Sequence, residues 1–195
     1  MKLIPSSLVP SLIPDGGTIL STGITLGGFA EEAFMEIERS FLETGHPRGL
    51  TQYWQASVGD MQTRGFSHMC HEGLLVKAVG GHIAGCGKAM TEFCRDNKAA
   101  IYNWPQGVCV ALLHAIAAKT PGVVTKIGLK TFMDPRHGGG RMNAAATEDL
   151  IELVELGGEE WLLYKAPRKI DVAIIRGTLA DENGNISMRK EGYKL

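Results

Sequence analysis

Residues 18–45 read TILSTGITLGGFAEEAFMEIERSFLETG, and this stretch decides the fold class. Its first five residues form a short β-prone run that stops at Gly23. After a glycine-containing loop, Phe29, Ala33, Ile37 and Phe41 recur every four positions, with Glu31, Glu32, Glu36 and Glu38 between them. Apolar residues at that spacing fall on one face of a helix, and the charges fall on the other. Gly45, followed by Pro47, ends the helix, because glycine suits the turn after a helix and proline cannot continue the hydrogen-bond ladder. The stretch therefore predicts strand, loop and amphipathic helix.

Outward from it the same alternation repeats. Upstream, residues 5–13 predict a short helix before the turn Pro14-Asp15-Gly16-Gly17. Downstream, strands are predicted over 50–56, 99–102, 123–129, 161–164 and 171–176. Helices are predicted over 72–79, 86–97, 106–119 and 148–156, the last with Thr147 as N-cap, and Gly80-Gly81-His82 is read as opening another extended piece. Strands separated by helices of roughly 10–15 residues imply right-handed βαβ units. The expected fold is a single three-layer α/β domain over residues 1–195, a mainly parallel sheet with helices on both faces. In such sheets ligands sit outside the carboxyl ends of the strands. That rule selects the loops 23–29, 103–107 and 134–143.

Composition removes several function classes. With 195 residues and 44% hydrophobic content the chain can bury a full core. Its 20 basic and 21 acidic residues alternate in short groups, so no basic stripe exists to hold a nucleic-acid backbone. The longest apolar runs, such as 108–118, fall short of the roughly 20 residues that span a bilayer. Met1-Lys2 leads into a proline-broken segment without a signal-peptide pattern, so a cytoplasmic protein without membrane contact is expected. The four cysteines, 70, 86, 94 and 109, form no Cys-x-x-Cys pair and are expected to be reduced thiols. His68, Cys70, His71, His82 and Cys86 match no zinc spacing, and no metal is expected.

Each selected loop has a chemical reading and a plainer one. Residues 23–29, GITLGGF, lie between strand and helix, where free backbone N–H groups favour an anion or a developing oxyanion. The spacing is not the dinucleotide fingerprint, and a tight turn with close packing explains the glycines equally well. In Tyr102-Asn103-Trp104-Pro105-Gln106-Gly107, proline suits a first helical turn and two side-chain amides stand at the functional edge. Gln106 could donate to a tetrahedral oxyanion without adding charge, while the plainer reading makes Asn103 a helix cap and Gln106 a surface residue. Residues 131–143 join Arg136 and Arg141 to Gly138, Gly139 and Gly140. That set could hold a phosphate or carboxylate, or be a mobile loop with solvated arginines.

Residues 102–108, 128–143 and 164–188, in this order and spacing, resemble the alpha (amino-terminal) half of type I CoA-transferases, the acetate/propionate branch in particular. The resemblance runs over about residues 13–188 and implies ping-pong transfer. A glutamate carboxylate attacks an acyl-CoA thioester, the CoA thiolate opens the resulting anhydride to give a glutamyl-CoA thioester, and an incoming acid is activated in reverse. Coenzyme A is then a substrate and not a resident cofactor. By the same resemblance Gln106 and the N–H groups of Gly27 and Gly28 face the acyl oxygen. Asn103, Arg136, Gly138 and Gly139, from the loops read above, are the further substrate-binding candidates. The nucleophilic glutamate and most of the CoA grip belong to a beta half of similar fold, so the chain needs that partner, is expected to be part of an oligomer, and is inactive alone. Acetate, propionate and acetoacetate all fit as the acid. Glu182-Asn183-Gly184 repeats the family's nucleophile tripeptide, but between two strand candidates it reads as a hairpin turn. The alternative function is a stand-alone domain binding a small acid or a sugar phosphate on the same superfold.

Overall fold

The computed structural model describes residues 3–193. In chain order its strands are β1 (Thr18–Ser21), β2 (Leu50–Tyr53), β3 (Leu75–Gly80), β4 (Ala100–Asn103) and β5 (Gly122–Thr125). They continue with β6 (Ile151–Leu156), β7 (Glu159–Lys165), β8 (Val172–Ile174), β9 (Leu179–Ala180) and β10 (Ile186–Ser187). The α-helices are α1 (Glu31–Thr44), α2 (Lys88–Arg95) and α3 (Gln106–Ala117).

Five strands make an all-parallel sheet in the order β4-β3-β2-β1-β8. Neighbouring residues of a strand point to opposite faces. Ala78 and Ile101 accordingly pack with Phe34 and Ile37 of α1 and Met90 and Phe93 of α2. Val79 and Tyr102, one step along, pack with Val108 and Leu112 of α3. The opening stretch folds as read: α1 buries Phe34 and Ile37, and Gly45 caps it at φ 76 with its N–H on the Phe41 carbonyl.

Two predicted helices are strands. Residues 72–79 contain β3, which lies between β2 and β4 and buries Ala78 on one face and Val79 on the other, so its run LLVKAV lacks the alternation that marks a strand with one solvated face. Residues 148–156 contain β6, which pairs antiparallel with β7 through a two-residue turn at Gly157 (φ 64) and Gly158 (φ 76). Positive φ at both positions is the hairpin geometry that glycine supplies. β5, β7 and β6 form a separate antiparallel sheet, so α3 and a sheet, not helices alone, cover the second face.

Smaller differences follow local geometry. Residues 5–13 fold as two 3₁₀ turns, Ser6–Leu8 and Pro10–Leu12, the second starting at a proline. Gly80-Gly81-His82 closes β3 and leads into the 3₁₀ turn Ile83–Cys86. The strands predicted over 50–56, 123–129 and 171–176 are trimmed to β2, β5 and β8. No helix among the described residues is long and apolar enough to cross a membrane.

His68 and His71 pair with carboxylates of α1. His68 Nδ1 lies 2.5 Å from the Glu38 carboxylate and Nε2 3.0 Å from that of Glu31, while His71 Nε2 lies 2.6 Å from Glu38. These pairs tie α1 to the 3₁₀ turn Gly65–Met69, through His68, and to the segment just after it, through His71. No group of three or more His, Cys, Asp or Glu among the described residues could hold a metal ion. Burial of His68 opposes its charge, but the hydrogen bonds to Glu38 and Glu31 outweigh that and raise its pKa. A raised histidine stabilises fully below its unfolded pKa of about 6.5, and the contribution is lost as pH climbs through the folded value. The stability gap between the chain and His68→Asn is therefore expected to shrink as pH rises from about 6 to about 9, as urea unfolding at each pH would show.

Candidate functional site at the carboxyl edge of the parallel sheet

Because β1 to β4 run parallel, the loops that follow them gather at one edge, and backbone bonds lock them side by side. Thr25 N–H donates to the Ser57 carbonyl at 2.7 Å, Trp54 N–H to Val79 at 3.2 Å, and Trp104 N–H to Gly80 at 2.8 Å. Trp54 Nε1 adds a bond to the Gly81 carbonyl at 3.1 Å. The approach is too close for side chains on Gly80, the last residue of β3, or on Gly81 after it. A Cβ on Gly80 would stand 2.3 Å from the Trp54 ring, and one on Gly81 2.3 Å from the Gln55 carbonyl oxygen and 2.6 Å from Gln106 Cγ. Trp54 is 1% exposed and its ring is rigid. Gly80→Ala should thus destabilise the chain by about 1–3 kcal/mol, the usual range for overpacking, measured by thermal or urea denaturation.

Between the β3 and β4 loops opens a cleft of 580 Å³, lined by residues 82–84, 103–106 and Met142. Gln106 enters it as the exposed first residue of α3. Asn103 does not cap that helix. Pro105 occupies the N-cap position without a side-chain bond, and Asn103 Oδ1 instead accepts the Ile83 N–H at 3.2 Å, tying the two loops together.

The third loop joins the same edge. Asn103 N–H donates to the Gly140 carbonyl at 2.9 Å and Met142 N–H to Ile101 at 2.9 Å. The loop is built around the buried Asp134, which accepts the N–H groups of Lys130 and Arg136, both at 3.0 Å, and the Arg136 guanidinium at 2.9 and 2.8 Å. Arg136 holds the Asp134 carboxyl well below the usual carboxylate range against the opposing effect of burial, with the Lys130 and Arg136 N–H groups helping. Arg136 also reaches Glu160 at 2.9 and 3.1 Å, and Arg141 pairs with Asp149. Gly139 N–H is bonded to the Asp134 carbonyl at 3.0 Å. This is an ordered loop whose cations already face carboxylates, with Gly138 exposed at its turn.

Gly27 and Gly28 stand elsewhere on the edge. Ile24 and Gly27 exchange N–H···O bonds of 2.9 Å, closing a tight turn, and Tyr193 lies so near that a Cβ on Gly27 would stand 2.2 Å from its ring. The turn follows β1, three places from β4 in the sheet, and neither glycine lines the cleft. The structure thus brings Asn103, Gln106 and the Gly138–Gly140 loop together and leaves Gly27 and Gly28 apart from them.

The remaining nucleophile candidates are unsuited. All four cysteines are free thiols. Burial pushes Cys70 and Cys109 up to about 12 and Cys86 up to about 11, so these are not thiolates near neutral pH. Glu182 is exposed at the tip of the β9–β10 hairpin, whose turn Asp181 organises by accepting the Asn183 and Asn185 N–H groups at 2.9 Å. Sequence reasoning missed His82 in the cleft wall and Gln55 beside it, 3% exposed, whose amide has no partner among the described residues. The signal was the Gly80-Gly81 pair, legible only once residues 75–80 are read as a strand.

Residues 4–195 match the family described as Coenzyme A transferase. The chain belongs to that family. It is 48% identical over 191 residues to a protein named caffeate CoA-transferase from Acetobacterium woodii, covering 98% of this chain and 36% of that one. To acetate CoA-transferase YdiF of Escherichia coli (strain K12) it is 38% identical over 181 residues, covering 92% and 34%. The solved thioester complex of the acyl-CoA transferase YdiF from E. coli O157:H7 with CoA superposes with a TM-score of 0.91 at 35% identity, covering 96% of this chain and 36% of that one. This CoA-transferase chain spans about a third of the length of those relatives.

Proposed function

We propose that the chain is the alpha half of an enzyme that moves CoA between a short-chain acyl-CoA and a carboxylic acid such as acetate. The observation that carries the reading is the cleft at the carboxyl edge of the sheet, where the Gln106 and Asn103 amides stand with no Asp, Glu, Lys or Arg in the lining. Neutral donors in such a site can bind an oxygen that gains charge during reaction without fixing a charge beforehand. A glutamate supplied from outside these residues attacks the thioester carbonyl and expels CoA as thiolate, leaving an acyl-glutamyl anhydride. The thiolate then attacks the glutamyl carbonyl, forming the glutamyl-CoA thioester and releasing the first acid as carboxylate. The second acid reverses both steps. Each attack passes through an oxyanion, and Gln106 Nε2–H is assigned to the acyl one.

Similarity to proteins named for acetate and for caffeate supports the reaction class and leaves the acid to experiment. The match over residues 4–195 gives the stand-alone sensor reading no support. The test is CoA exchange by the whole enzyme, with acetyl-CoA as donor and labelled acetate, propionate, acetoacetate or caffeate as acceptor. Parallel reciprocal plots, the ping-pong pattern, are expected for the true acid. Intersecting plots would remove the covalent mechanism.

A further inference from the structure

His82 occupies a place that the scheme above does not explain. Its backbone sits at φ 58 and ψ 61, the left-handed region that glycine enters freely and few other residues do. Gly80 and Gly81 precede it, yet at the one position of the three with a left-handed backbone a ring is present. Room is made for that ring: a Cβ on Gly85 would stand 2.5 Å from His82 Nδ1 and 2.6 Å from Ser57 Cβ. The bond from Ile83 N–H to Asn103 pins the turn from the β4 side. The side chain is exposed, lines the cleft and forms no hydrogen bond with the described residues.

Charge says what the ring is for. Of the cleft-lining residues only His82 can carry a positive charge, since Arg136 and Arg141 are engaged by carboxylates outside it. We infer that His82 binds the carboxylate of the acid substrate, its ring N–H donating to one carboxylate oxygen beside the Asn103 and Gln106 amides. This rests on the proposed function for the identity of the acid. It adds a distinction that reading lacks, because the free acid is an anion whereas the acyl group of the thioester is neutral. His82 would therefore favour the acid over the acyl-CoA.

The experiment follows the imidazole signals of the chain by NMR during titration with propionate and, separately, with neutral propionamide. Asparagine tolerates the left-handed backbone, so His82→Asn should fold and assigns the His82 signal among the six histidines. If that variant does not fold, His82→Gly takes its place, since glycine adopts this backbone without strain. A saturable shift of the His82 signal with propionate and none with propionamide is expected. In the whole enzyme the variant should raise KM for the acid about 10-fold, as loss of a hydrogen bond to a charged group does, and leave KM for acyl-CoA within about twofold. An equal response to propionamide, no saturable shift, or an unchanged acid KM would overturn the assignment. Should the whole enzyme fail to transfer CoA while propionate still shifts His82, the proposed function falls and the carboxylate site stands.

Discussion

Gln106→Ala is expected to lower turnover of the whole enzyme about 10²-fold or more while leaving the chain as stable as before. The size follows from the role proposed for the amide. A donor that meets an oxygen only once it has become an oxyanion stabilises the transition state and not the ground state, so its loss falls on kcat more than on KM. The small effect on folding follows from position. Gln106 is exposed at the first turn of α3, and truncating such a residue to alanine, a good helix former, seldom moves stability by more than about 0.5 kcal/mol. Gln106→Glu makes the control sharper, since it keeps the shape and replaces the donor by a carboxylate. It should lose at least as much turnover as the alanine variant. If Gln106 were an ordinary surface residue, both variants would keep turnover within about threefold. Comparison of kcat, KM and melting temperature for the three proteins decides it.

The fold was legible wherever two different periods met. In residues 18–45 a short β-prone run gives way to fourfold recurrence, and a glycine stop closes it, so strand, loop and helix could each be read from local physics. It was illegible wherever burial removes the period. β3 lies between two strands and sends Ala78 into the core on one face and Val79 into the core on the other, so its run shows no apolar-polar alternation. Around the mostly exposed β6 the difficulty is different, since apolar residues at 150, 151, 153, 154 and 156 satisfy helical spacing and a strand equally well. There the arbiter is Gly157-Gly158, whose positive φ angles favour a hairpin over a helix end running into a loop.

The site divides along similar lines. The run from Tyr102 to Gly107 marked itself, since proline at a helix start and two amides at a strand end are local features. What could not be read were the long-range pairings. Arg136 looks like an anion ligand until Asp134 folds beneath it and Glu160 arrives from β7. The N–H of Gly27 looks available until Ile24 takes it, and Tyr193, near the other end of the sequence, packs over that glycine. Such partners are chosen by topology, which a linear reading of loops does not contain.

The second large effect concerns the chain by itself, which is expected to fold and to bind acids yet to move no CoA, with exchange about 10⁴-fold or more below that of the whole enzyme. Oxyanion donors accelerate an attack but cannot make one, and removing a nucleophile costs more than removing any single donor around it. Among the described residues the cleft contains no carboxylate, and burial leaves Cys70, Cys86 and Cys109 protonated. Glu182 carries the family-like tripeptide but stands on an exposed hairpin tip, in contact with solvent and outside the lining of the cleft, whereas acyl transfer requires a preorganised, water-excluded site. The measurement is isotope exchange between acetyl-CoA and labelled acetate, run with the chain alone, with the remaining half supplied, and with Glu182→Gln in both settings. Exchange should appear only when the remaining half is present and should be indifferent to Glu182→Gln. Robust exchange by the chain alone would place the nucleophile among its own carboxylates, and its loss in Glu182→Gln would then name the residue.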